Sequence, residues 1–118
     1  MKIAVFVSGN GSNLQCIIDS SKSSALSGTI VDFVIADRKC FAIERAEREN
    51  IEWVIVDRKV NWQNEIHCIL KNRGTELIVL AGFLSILDKS FCDEWENKII
   101  KTNRIKPWRR VCQAFIPT

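Results

Sequence analysis

Apolar positions along the chain alternate between two habits, unbroken β-branched runs and stripes at helical spacing. Lys2 leads into Ile3, Ala4, Val5, Phe6 and Val7, a run that stops at Ser8 and Gly9. A run of this kind suits a strand buried on both faces. Beyond the glycines, Leu14, Ile17 and Ile18 repeat at helical spacing, with Ser12 or its neighbours placed to cap. Residues 29–36 read as a second strand, and residues 41–48 as a second helix with a stripe of Ala42, Ile43 and Ala46. Residues 53–56 give a short third strand. Trp62, Ile66, Ile69 and Leu70 mark a third helix stopped by Gly74. Residues 76–81 form a fourth strand closed by Gly82, residues 88–95 a short helix, and Ile99-Ile100 opens a fifth strand.

Strands and helices alternating at this spacing predict βαβ crossovers. The fold class is therefore α/β, a Rossmann-like parallel sheet with helices on both faces. The pattern falls silent after Ile100. The chain divides into an α/β domain at residues 1–100 and an irregular tail at residues 101–118, with no internal repeat. Sheets of this type bind ligands outside the carboxyl ends of their strands, near the point where strand order reverses. Candidate chemistry is sought there.

Composition narrows the classes. A chain of 118 residues, 47% hydrophobic and 26% charged, is one ordinary globular domain. Its longest apolar run, residues 77–84, is far below the ~20 residues that cross a bilayer. The five apolar residues after Lys2 are too few for a signal-peptide core. The expectation is a cytoplasmic protein without a membrane partner. Residues 1–100 carry a net charge of −2 and residues 101–118 one of +5, so the basicity belongs to the tail and the body has no charge reason to seek nucleic acid. Cys16, Cys40, Cys68, Cys92 and Cys112 lie too far apart for a zinc knuckle or a redox dithiol. They are expected to be reduced, buried small hydrophobes, and no metal is expected.

Gly9, Asn10, Gly11, Ser12, Asn13 and Leu14 open the first helix directly after the first strand. Glycines let an anion approach the backbone, and the helix start supplies N–H groups and a positive dipole end. A dinucleotide fingerprint would place a third glycine where Leu14 stands, so the turn suits one phosphate rather than a pyrophosphate. The alternative is a tight turn with no ligand. Asp37, at the end of the second strand, occupies the place of a ribose-binding acid, although Asp37-Arg38-Lys39 also reads as a solvated turn.

At this point the residues carry a family. The stretch from Phe6 through Gln15 resembles the opening of glycinamide ribonucleotide formyltransferase. Residues 37–46 and 79–87 agree with that family in order and spacing, over about residues 1–100. The resemblance implies transfer of a formyl group from 10-formyltetrahydrofolate to the amine of glycinamide ribonucleotide in purine biosynthesis. It implies that Gly11, Ser12, Asn13 and Leu14 form the substrate-phosphate loop. It also implies that Leu84, Ser85, Ile86 and Leu87 line the folate pocket, where apolar side chains and backbone groups suit a flat pterin ring. Ser85 stands where many relatives have an arginine. A further folate contact finds no counterpart among residues 58–64.

In the family the fifth strand runs into Asn-x-His-Pro, with an aspartate further on, and these groups handle the oxyanion of formyl transfer. Here Ile100 is followed by Lys101, Thr102 and Asn103 without His-Pro, and no acid follows Glu96. His67 is the one histidine, and its helix does not point to the strand ends. No catalytic residue is therefore assigned. A substrate-binding half without its chemistry is expected, and with it no detectable turnover. A catalytically dead phosphate or nucleotide module is the second reading, and a nicotinamide-dependent fragment using Asp37 a third. The tail reads as an out-of-frame appendage or the end of a truncated paralogue. A basic-aromatic arm for RNA or an anionic surface, with Trp108 and Phe115, is the alternative. A sheet ending at its fifth strand is expected to leave an edge open to pairing and to lower solubility.

Overall fold

The computed structural model describes residues 1–22, 28–56, 62–85 and 87–101. Along them run β1 (Lys2–Val7), α1 (Ser12–Lys22), β2 (Ile30–Ala36), α2 (Phe41–Arg48) and β3 (Glu52–Ile55). Then follow α3 (Trp62–Arg73), β4 (Leu77–Leu80), α4 (Lys89–Glu94) and β5 (Ile99–Lys101). The strands pair in parallel in the order β3-β2-β1-β4-β5. The α/β, Rossmann-like expectation is met element by element. Lys101, the first residue of the expected tail, ends β5; the rest of the tail, with Asn103, Trp108, Cys112 and Phe115, lies outside the described residues, as does Ile86.

The two-residue period of β1 sorts its side chains between two cores. Ile3, Val5 and Val7 pack with Leu14, Ile17 and Ile18 of α1 and Ala42, Ile43 and Ala46 of α2. Ala4 and Phe6 pack on the other face with Trp62, Ile66 and Leu70 of α3 and Phe91 and Trp95. Each large side chain removed from water stabilises the fold by about 1.5–3 kcal/mol, and β1 contributes to both layers. That explains its central position and its unbroken apolar run.

The Gly74 stop and a cap beside Ser12 act as read, the cysteines do not, and a further cap at Asp88 comes from the structure alone. Asp88 caps α4 by accepting from the Phe91 N–H at 2.9 Å. Gly74, at φ +75°, ends α3. At α1 a neighbour of Ser12 takes part in the cap: the Asn10 side chain accepts the Ser12 N–H at 2.8 Å. The cysteines, by contrast, are not uniformly buried: Cys92 is, Cys16 and Cys40 are half-buried, and Cys68 is exposed. Cys68 lies two residues from Ile66, about 200° around α3 from its buried stripe. At the amino end of the sheet, Arg73 ties α3 to β2 and β3 through Asp32 at 2.7 Å and Glu52 at 3.0 Å.

Strands β2 and β3 extend the sheet to one side of β1, and β4 and β5 to the other. The direction of winding reverses between β1 and β4. The loops that follow those two strands therefore diverge and leave a crevice between them.

Candidate functional site

The loop after β1 is shaped by one glycine. Gly11 has φ +79°, and a Cβ there would lie 2.7 Å from the Ala42 Cβ and 2.8 Å from its Cα. The turn is pressed against α2, whose Ala42 N–H donates to the Gly9 carbonyl at 3.1 Å. Gly11 in turn accepts the first helical bond of α1, from the Gln15 N–H at 2.8 Å. Ser12 is exposed, Asn13 half-buried and Leu14 fully buried in the first core. Leu14 can thus meet a ligand only through its backbone. A helix start whose amides point outward favours an anion.

Sequence reasoning missed Arg45. Its Nε donates to the Asn10 carbonyl at 2.6 Å and its Nη1 to Gln15 Oε1 at 3.3 Å, while its guanidinium stacks 4.9 Å from the Phe41 ring centroid. A fixed positive charge therefore lies against the turn. No signal in the sequence pointed to Arg45, because its contact with Asn10 spans 35 positions.

The loop after β4 is tied down along its length. Ala81 N–H donates to the Phe6 carbonyl at 2.9 Å, and the Phe83 ring packs edge-on against Phe6 and Trp62. Leu84 N–H donates to Ser8 Oγ at 2.8 Å. Ser85 Oγ bonds Asp37 Oδ2 at 2.5 Å, and Asp88 N–H donates to Gln63 at 2.9 Å. Leu84 is 68% exposed, whereas Leu87 packs against the second core. Of the expected pocket-lining residues described, Leu84 offers an apolar surface, Ser85 turns its hydroxyl inward, and Leu87 faces the core.

Asp37 does not sit in a solvated turn, and its carboxylate is already engaged by protein donors rather than left open for a ribose. Its side chain is fully inaccessible, with Arg38 Nε on Oδ1 at 2.9 Å and Arg38 Nη2 on Oδ2 at 3.0 Å. Burial by itself would push this carboxyl up, but the hydrogen bonds from Arg38, Ser85 and Ser8 and the Arg38 charge outweigh it and hold it below its ordinary value. A lowered native value means stability that is complete above 3.8 and lost as pH falls from there through the native value. The gap in melting temperature between wild type and Asp37→Asn is therefore expected to be widest at neutral pH and to close below about pH 4. Melting curves across that range check it; a constant gap would remove Asp37 from the account.

His67 stands apart from the crevice. Its Nδ1 accepts from Trp95 Nε1 at 3.0 Å, on the outer side of the second core. Among the described residues no cluster of histidine, cysteine, aspartate or glutamate is arranged to hold a metal, and no helix is long and apolar enough to cross a membrane.

Comparison with known proteins gives a consistent result. A family model described as formyl transferase matches residues 1–102. The phosphoribosylglycinamide formyltransferase of Escherichia coli (strain K12) is 30% identical over 105 residues, which are 85% of this chain and 50% of that protein. The trifunctional purine biosynthetic protein adenosine-3 of Homo sapiens is 33% identical over 105 residues, 84% of this chain and 10% of that protein. The crystal structure of glycinamide ribonucleotide transformylase 1 from Geobacillus kaustophilus superposes with a TM-score of 0.80 at 31% identity, covering 86% of this chain and 57% of that one. The chain thus spans about half the length of its bacterial relatives and a tenth of the trifunctional ones.

Proposed function

The chain belongs to the formyl transferase family, and from that premise we propose that its crevice is the binding half of a glycinamide ribonucleotide formyltransferase site. Gly11, Ser12, Asn13 and the Leu14 backbone hold the substrate phosphate. Residues 84–87 line the place of 10-formyltetrahydrofolate, the one-carbon donor of purine biosynthesis, with Leu84 supplying the apolar contact. The observation that carries this reading is the Leu84–Ser8 hydrogen bond, which joins the segment after β4 to the strand end from which the glycine turn starts. Substrate phosphate and donor would then lie on either side of one switch point, the separation that transfer between two small molecules requires.

The phosphate assignment has a physical basis in the turn itself. Its backbone is exposed at Gly9 and Asn10, a helix starts at Ser12, and the Arg45 guanidinium sits behind it. An incoming phosphate competes with Asn10 Oδ1 for the Ser12 N–H, so binding displaces one neutral acceptor with a charged one. Charge-assisted hydrogen bonds are about twice as strong as neutral ones.

Calorimetric titration with glycinamide ribonucleotide tests the assignment. Ser12→Ala combined with Asn13→Ala is expected to weaken binding about tenfold, the loss of a hydrogen bond or two to a charged group. Equal affinity in wild type and variant would remove the phosphate loop from the proposal. A phosphate or nucleotide module without a folate site is the second reading, favoured by the serine at position 85, where the resemblance leads one to expect an arginine. It predicts that tetrahydrofolate fails to bind while a nucleoside monophosphate competes with glycinamide ribonucleotide.

A further inference from the structure

We propose that Asp37 is the positioning residue of the segment after β4, its buried carboxylate holding Leu84 and Ser85 in place across the ends of β1 and β2. The inference rests on the reading that residues 84–87 line the donor site, and it adds a residue to that site which no ligand touches.

Two consecutive loop residues reach the same carboxylate by separate routes. Ser85 Oγ lies 2.5 Å from Asp37 Oδ2. An ionised carboxylate can only accept, so the Ser85 hydroxyl is the donor. The second route is less direct: Ser8 Oγ accepts the Leu84 N–H at 2.8 Å, and the Ser8 hydroxyl is among the groups that hold the Asp37 carboxyl below its ordinary value. Arg38 closes the remaining side with its two bonds. Asp37 and Ser8 are each 4% exposed, so water does not replace a donor that leaves. A carboxylate that loses a donor in such a place costs far more than a solvated one. The charge and the loop therefore depend on each other: the loop satisfies the carboxylate, and the carboxylate fixes the loop.

This arrangement determines what the site presents to a ligand. The Ser85 hydroxyl is engaged inward. What remains accessible is the Leu84 side chain, 68% exposed, on a backbone held by a bond made before any ligand arrives. Such a surface fits a flat heteroaromatic ring read by apolar contact and backbone hydrogen bonds, and preorganisation raises its affinity by removing the cost of ordering the loop.

The test compares wild type with Ser85→Ala, Ser85→Thr, Asp37→Asn and the Asp37→Asn/Ser85→Ala pair. Two quantities are measured: affinity for tetrahydrofolate, and hydrogen exchange of the Leu84 and Ser85 amides without ligand. Ser85→Ala and Asp37→Asn are each expected to weaken binding about tenfold and to speed exchange at Leu84 and Ser85. The pair should lose little more than Asp37→Asn alone, because Ser85 acts through that carboxylate. Ser85→Thr keeps the hydroxyl and should restore both readouts. Wild type binding with unchanged affinity in Ser85→Ala and Asp37→Asn overturns the proposal. If wild type does not bind tetrahydrofolate, the donor-site reading fails, and exchange alone judges the positioning role: unaltered amides in Asp37→Asn overturn it. Should Asp37→Asn not fold, Ser85→Ala against Ser85→Thr carries the comparison.

Discussion

Mixed with saturating glycinamide ribonucleotide and 10-formyltetrahydrofolate, the 118-residue chain is expected to transfer formyl groups no faster than the solution background. Formyl transfer builds a tetrahedral oxyanion, and an enzyme must stabilise that charge and move the amine proton. One oxyanion donor contributes about 10²–10³ in rate, and a positioned acid or base about 10²–10⁴. Among the described residues, neither group is at hand at the strand ends. His67, the single histidine of the sequence, has its Nδ1 engaged by Trp95 and packs on the far side of the second core. Asp37 is near the crevice, but it is buried, held ionised and surrounded by the donors of Arg38, Ser85 and Ser8. A carboxylate so placed is a poor proton acceptor. The measurement is release of tetrahydrofolate over time, with His67→Ala in parallel. Turnover well above background that vanishes in His67→Ala would sink this account and assign the histidine a role. Identical traces for the two proteins are expected.

Gly11→Ala carries the largest expected cost of any glycine substitution in the site. The added Cβ would sit 2.7 Å from the Ala42 Cβ and 2.8 Å from the Ala42 Cα, and the second of these is backbone that cannot rotate away. The residue would also be held at φ +79°, which costs a non-glycine residue about 1–2 kcal/mol. Forcing α2 outward to admit the methyl adds about 1–3 kcal/mol. The sum is on the order of 3 kcal/mol, a large share of the stability of a domain this size. Gly9→Ala is the control, because its Cβ meets nothing within 4 Å and its φ is not in the left-handed region. It should change stability by less than about 0.5 kcal/mol. Urea unfolding of the three proteins decides the matter. Equal midpoints for Gly11→Ala and wild type would mean that α2 yields freely, and that Gly11 is needed only for the ligand. A destabilised but folded variant is also expected to lose affinity for glycinamide ribonucleotide, since the turn and α1 would shift together.

Much of the molecule is readable from local pattern. The run from Ile3 to Val7, the stripe Ala42, Ile43 and Ala46, and the stop at Gly74 each announce an element that the fold contains. Hydrophobic periodicity dictates which face an element must hide, and parallel βαβ geometry leaves few ways to hide both faces of a strand. The glycine turn was legible for the same reason: its place after a strand and before a helix is a matter of sequence neighbours. Family resemblance over residues 1–100 supplied the two loop assignments together.

What was not legible depends on residues far apart in the chain. Arg45 reaches back 35 positions to Asn10 and Ser85 reaches 48 to Asp37. Leu84 reaches 76 positions to Ser8. A side-chain hydrogen bond needs atoms within about 3 Å and correct angles, and nothing in the spacing of Asp37 or Ser85 along the chain encodes that meeting. Hence Asp37 read as a ribose acid or a solvated turn, and only the packing of β2 beside β1, with the segment after β4 reaching across their ends, revealed a buried charge. Gly11 divides the same way. The sequence alone determined that a glycine belongs in a strand-to-helix turn, because the backbone there demands a positive φ. That the same glycine also leaves room for Ala42 was decided by the tertiary structure, because close approach of two helices is set by the sheet that carries them.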